Sequence, residues 1–264
     1  YEISACLVGS EMCIRDSTGS VNFLILGFCM GVCNGFSIPV AQKFGAKDES
    51  GLRRFVANSV WLSVIFAAVM TVVVCILCRQ ILIWMDTPAN ILEGSYRYIF
   101  VIFLGIPVTY LYNLLSGIMR ALGDSKTPLI FLILSSVLNI LFDLGAILIL
   151  HMGVAGAAWA TVTAQGISGV LCLIYMKKKY TILKISKDEW KLNGSCIARL
   201  CGMGIPMGLQ YSITAIGSVV LQTAVNRLGS TAVAAVASGG KLAMFFCCPF
   251  DAMGSTMSTY TGQN

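Results

Sequence analysis

Apolar runs of twenty or more residues recur along almost the whole of this 264-residue chain, and they leave few ways for it to fold. Phe55–Cys78 holds no charged residue, and Leu129–Leu150 holds one. A bilayer hydrocarbon core about 30 Å thick is crossed by about 20 residues of helix. A transmembrane strand would need only about ten residues, with apolar and polar side chains alternating. These runs are apolar on all sides, so a barrel is excluded. Charged residues make up 11% of the chain, against roughly 25% in a water-soluble domain. The chain is therefore expected to be an all-α integral membrane protein.

Hydropathy places about seven transmembrane helices, near Ser20–Ala41, Arg54–Cys78, Gly94–Met119, Pro128–Leu150, Val154–Met176, Ala198–Val225 and Val236–Thr261. Pro128 opens a helix, where its missing N–H costs little. Pro107, Pro206 and Pro249 fall inside helices, where they permit kinks. Residues 1–17 differ from the rest. They show neither the order of a signal peptide nor a helical stripe, and CLVGSEMCIRDS (Cys6–Ser17) resembles the translated read-through of a sequencing adapter. They are set aside from fold reasoning.

Basic residues collect in alternate loops: Lys43, Lys47, Arg53 and Arg54, then Arg120 and Lys126, then Lys177–Lys179, Lys184, Lys187, Lys191 and Arg199. The opposite loops carry only Arg79, Arg97 and Arg227. The positive-inside rule places the first set in the cytoplasm. The net charge of +6 is thus a topology signal, and no nucleic acid is required to explain it. The polar stretch Lys177–Gly194 is the longest connection on that side, and Trp190 within it suits a membrane interface.

Most of the eleven cysteines lie inside apolar runs, where they act as small hydrophobes. Cys75 and Cys78 form a CxxC without a second pair or a nearby histidine, so the same reading is preferred to a redox or metal site. His151, the only histidine, sits in a short loop and excludes histidine-based metal or triad chemistry. LGDSKTP (Leu122–Pro128) lacks phosphate-loop spacing and reads as a tight turn leading into a helix.

IPVAQKFGA (Ile38–Ala46) and the terminal STYTGQN (Ser258–Asn264) form a weak internal repeat, with Gln42 and Gln263 separated by 221 residues. Both sit at the same end of helices running in the same direction, which implies a parallel repeat about an axis along the membrane normal. On that reading residues 18–176 belong to a first lobe that lacks its first helix. Residues 177–197 form a cytoplasmic linker, and 198–264 begin a second lobe.

GFSIPVAQKFGA (Gly35–Ala46), SGIMRALGDSKTPL (Ser116–Leu129), LNILFDLGAILI (Leu138–Ile149), GVAGAAWATVTAQ (Gly153–Gln165) and the closing GQN resemble the multidrug and toxic compound extrusion (MATE) family, in the family's order. The resemblance implies a two-lobed transporter bundle, a parallel repeat of six helices, of which this chain matches helices two to eight. It implies export of organic cations and other amphipathic small-molecule drugs by a monomeric antiporter in the cell membrane. H⁺ or Na⁺ is the coupling ion, with no other cofactor and no enzymatic activity.

Ionisable groups inside a membrane are rare and usually functional. Asp143 lies 15 residues after Pro128, about 22 Å along a helix rising about 1.5 Å per residue, in the outer half of the bilayer. Asn139 is at i−4 and shares its face. If Thr161, on the next helix, faces the pair, three oxygens converge that can bind Na⁺, or hold a carboxyl that takes up a proton when dehydrated. In the resembled family an Asn and Asp at this spacing and a Thr at this position line the cation site, together with an Asp from a first helix that this sequence lacks. The alternative is that Asp143 and Asn139 only bond neighbouring helices. Asn113, Gln165, Gln222, Lys241 and Asp251 are candidates for a substrate cavity. Gln222, with Asn226 four residues on, also suits plain helix-to-helix bonding. A lipid-linked oligosaccharide flippase of the same superfamily is the alternative function. It should present more cations to its cavity, and Lys241 is the one lysine placed within a helix. A further alternative is an inactive fragment.

Overall fold

The computed structural model describes residues 2–84, 89–149, 153–226 and 230–264. Its elements are α1 (Glu2–Gly45), α2 (Glu49–Trp84), α3 (Ala89–Leu104), α4 (Ile106–Ala121), α5 (Lys126–Leu148) and α6 (Gly153–Lys179). A single 3₁₀ turn (Thr181–Leu183) follows, then α7 (Gly194–Asn226) and α8 (Ser230–Gln263). There is no strand among the described residues. Among the described residues four helical spans are long and apolar enough to cross a membrane, and α3 with α4 makes a fifth if the bent pair is one span. α7 and α8 run to 33 and 34 residues. Exposed Ile76, Ile130, Ile133 and Ile140 give α2 and α5 an apolar outer surface of the kind that faces lipid.

One expectation is corrected. The helix placed at Gly94–Met119 is two helices, α3 and α4, meeting at Gly105 at 43°. Pro107 is the second residue of α4 and has no N–H to donate to the carbonyl of Phe103, while its ring crowds that carbonyl. The N–H groups of Val108 and Thr109 both donate to the Gly105 carbonyl, which starts α4. A Cβ at Gly105 would collide with Val162 of α6, so glycine also allows α6 to approach the bend. α1 is helical back to Glu2, which takes in the set-aside residues 2–17. His151 lies outside the described residues.

The core forms where α1, α2, α3 and α4 meet, around buried Phe36, Phe103, Ile106, Tyr110, Ile118 and Met119. α5 packs chiefly on α6. Among the described residues the most extensive packing is between α1 and α7. A Cβ at Gly31 would lie 2.6 Å from the Met207 carbonyl oxygen, and one at Gly35 would lie 2.5 Å from the Gly204 Cα. Gly204 and Gly208 in turn press on Phe36, Phe28 and Val32. Small residues four apart let two membrane helices touch backbone to backbone.

The basic segments share one end of the bundle. Arg199 donates to Gln42 at 2.8 Å, Lys179 meets Asp124 at 3.0 Å, and Arg53 meets Glu189 at 2.8 Å. Gln263 closes that end by donating to the Ala121 carbonyl at 2.8 Å, beside Gly45. The two repeat positions, Gln42 and Gln263, therefore lie at the same end.

The LGDSKTP segment is a turn. Gly123, at φ +86°, ends α4 with Gly123 N–H bonded to the Arg120 carbonyl and Asp124 N–H to that of Met119, the paired closure that a left-handed residue permits. Asp124 then accepts from Thr127 N–H at 3.0 Å, which starts α5.

Candidate cation site

α5 and α6 pack side by side along their lengths, and their facing polar residues meet. Asn139 donates its Nδ2 to the Thr161 hydroxyl at 3.1 Å, and that hydroxyl donates to the Ala157 carbonyl at 2.9 Å. The hydroxyl back-bond fixes the Thr161 rotamer and points its lone pairs toward α5. Asn139 Oδ1 is the end of the carboxamide not engaged by Thr161. Asp143 lies one turn further along α5 on the same face. It is half-buried, with Oδ1 enclosed by protein. The three residues named from the sequence thus sit on facing helices, and a direct contact joins two of them. Such a set of hard oxygens, a carboxylate, an amide carbonyl and a hydroxyl, suits Na⁺ or a proton held on the carboxylate.

The other candidates divide. Gln165 stands four residues beyond Thr161 on α6 and accepts from the Thr109 hydroxyl at 3.1 Å, a second polar bridge, this one to α4. Asn113 turns back on its own helix, donating to the Thr109 carbonyl at 2.8 Å. Thr109 therefore links Gln165 to Asn113, so a chain of polar groups runs from α6 into the bend of α4. Asp251 does not join them: it lies on an exposed stretch of α8 in which every residue from Leu242 to Met257 is exposed. The side chains of Gln222, Asn226 and Lys241 lie outside the described ones.

Three features of this region went unread in the sequence. Thr109 had a visible signal, a hydroxyl two residues after an intramembrane proline. Arg120 donates to Asn34 of α1 at 3.1 Å, although both residues look like ordinary polar breaks near helix ends. The α1–α7 contact was announced by the GxxxG spacings Gly27–Gly31–Gly35 and Gly204–Gly208.

The family model described as MatE matches residues 16–144, which takes in α2 to α4 and most of α1 and α5. The chain is 29% identical over 251 residues to the probable multidrug resistance protein YoeA of Bacillus subtilis (strain 168), covering 92% of this chain and 54% of the relative. It is 30% identical over 253 residues to the probable multidrug resistance protein YpnP of the same organism, covering 94% and 55%. Its fold matches the outward-facing conformation of a multidrug resistance MATE family transporter with a TM-score of 0.88, at 22% identity, over 96% of this chain and 57% of that one.

The chain belongs to the MATE family. It spans about half the length of the curated relatives it matches. MATE proteins are transporters rather than enzymes. The family places this chain in a membrane as a multi-pass protein, as its apolar spans require.

Proposed function

We propose that this MATE protein is a cation-coupled exporter of organic cations and other amphipathic drugs. H⁺ or Na⁺ entering from outside binds at Asp143, Asn139 and Thr161 and favours the conformation that releases drug outward. The cytoplasmic membrane is its place, and one copy is the working unit. The observation that carries this reading is the Asn139–Thr161 hydrogen bond between α5 and α6, one turn from the intramembrane carboxylate of Asp143. A cation that binds there gains oxygens from two helices at once, so its occupancy acts on how those helices sit together. The names of YoeA and YpnP support the drug substrates. A cation moving down the membrane potential releases about 2.3 kcal/mol per 100 mV, enough to bias a two-state rearrangement whose states differ by a few kcal/mol.

Asp143→Asn in the full-length protein keeps the shape and removes the titrating charge. Expected is loss of gradient-driven dye efflux from cells at unchanged membrane expression. Dye export at the wild-type rate would refute the assignment.

A further inference from the structure

A cleft of about 790 Å³ opens on the side of the bundle between α2, α4 and α6, and the linker after α6 covers its basic end. Its walls are almost wholly apolar. On α4 the lining runs from Ile118 to Pro107, which is eleven residues or about 16 Å of helix. That is the thickness of one leaflet's hydrocarbon, half of about 30 Å. Among the described residues the charged ones that line it are Lys177 and Lys184, both exposed and both at the basic end. The acidic groups nearby are already engaged. Asp124 accepts from Tyr180, Thr127 and Lys179, and Glu189 accepts from Arg53 and from Ser186 N–H.

The linker is an ordered cover. Tyr180 ties its start to Asp124, and Asn193 N–H donates to Asn58 of α2 at 3.0 Å at its end. Trp61 donates to the Trp190 carbonyl at 3.2 Å, and the two rings meet edge to face at 6.4 Å. Ser63, five residues beyond Asn58 and so about 7 Å deeper, is buried in the cleft wall, with a hydroxyl that has no hydrogen-bond partner among the described residues.

We propose that this cleft is a binding site for an anionic phospholipid of the leaflet at the basic end, which the positive-inside rule makes the inner leaflet. One acyl chain lies along α4 between α2 and α6. The phosphate pairs with Lys177 and Lys184. Charge complementarity selects this occupant over an organic cation, which the two lysines would repel.

The test is native mass spectrometry of the full-length protein with phosphatidylglycerol and with phosphatidylcholine carrying the same acyl chains. Expected is a preference for phosphatidylglycerol on the order of tenfold, as two lysines near an anionic headgroup should give. Lys177→Gln with Lys184→Gln removes the preference. Ala68→Trp, at an exposed position that lines the cleft, fills it with little cost to folding and removes tight binding of both lipids. Equal binding of the two lipids by the unaltered protein would overturn the proposal. So would a preference that survives Ala68→Trp, since surface charge alone would then explain it. Displacement of the lipid by tetraphenylphosphonium would overturn it as well, by making the cleft a site for organic cations.

Discussion

The hydrogen bond from Asn139 to Thr161 is weak as a fastening and informative as a position. Interhelical hydrogen bonds in membranes contribute about 0.6 kcal/mol on average, so Thr161→Val should shift the melting temperature by no more than a degree or two. If the hydroxyl also ligates the coupling ion, the same change should raise the ion concentration needed for half-maximal efflux by tenfold or more. Measuring both separates the two roles, and a large fall in stability with normal ion dependence would make Thr161 purely structural. At the basic end Asp124 offers a test of different sign. Burial raises its carboxyl, but hydrogen bonds from Tyr180, Thr127 and Lys179 outweigh it and hold the group well below its ordinary value of 3.8. A depressed carboxyl contributes fully above its unfolded value and loses that contribution as pH falls below it. Hydrogen exchange in residues 180–193, normalised at each pH to the intrinsic rate of the unfolded chain, should therefore be slow at pH 7 and quicken below about pH 4. Asp124→Asn should quicken it at pH 7 by an amount corresponding to about 1–3 kcal/mol. Equal exchange at both pH values would contradict the role given to this carboxylate. Asp143 was legible in the sequence because a charge inside an apolar run stands out. The Thr109–Gln165 bridge was not, because which face of α4 meets α6 is decided by packing and not by spacing within either helix.

Among the elements, the α1–α7 contact bears most directly on how the two lobes are held. Backbone atoms, which cannot swing away, stand 2.5 Å from where a side chain at Gly35 would begin. Gly35→Leu should lower stability toward the upper end of about 1–3 kcal/mol or beyond. Gly217→Ala on α7, with nothing within 4 Å, should be neutral or gain up to about 1 kcal/mol from helix propensity. Thermal unfolding in detergent checks both, and equal melting temperatures would contradict the packing described. The helices themselves could be read from hydropathy, since each span must hide its backbone from lipid on its own. The division of the third span at Gly105 had a signal in Gly–x–Pro, but a proline inside a membrane helix is compatible with a kink as well as a break. The fastening of the linker onto α2 and the α4–α5 turn was beyond reading. It depends on pairs more than fifty residues apart, such as Arg53 with Glu189 and Asp124 with Tyr180.

For the molecule as a whole, α8 ends at the basic end against α1 and the α4 terminus. A Cβ at Gly262 would lie 3.3 Å from that of Ala41, close to the usual disulfide range of about 3.5–4.5 Å. Cysteines at these two positions, in a background without the native ones, should cross-link under mild oxidation and keep the two halves together after the linker is cut. Transport that requires the lobes to part at this end should stop when the link forms and resume on reduction. That Gln42 and Gln263 lie at the same end was readable in outline from their repeat, because it needs only direction and spacing. The central claim is that an ion visiting Asp143 drives export. Its most direct measurement is dye efflux from proteoliposomes holding the full-length protein, with a Na⁺ gradient imposed at fixed pH or a pH gradient imposed without Na⁺. The account predicts that one of these gradients drives efflux in the unaltered protein and that neither does so in Asp143→Asn. Gradient-driven efflux that persists in Asp143→Asn would contradict it.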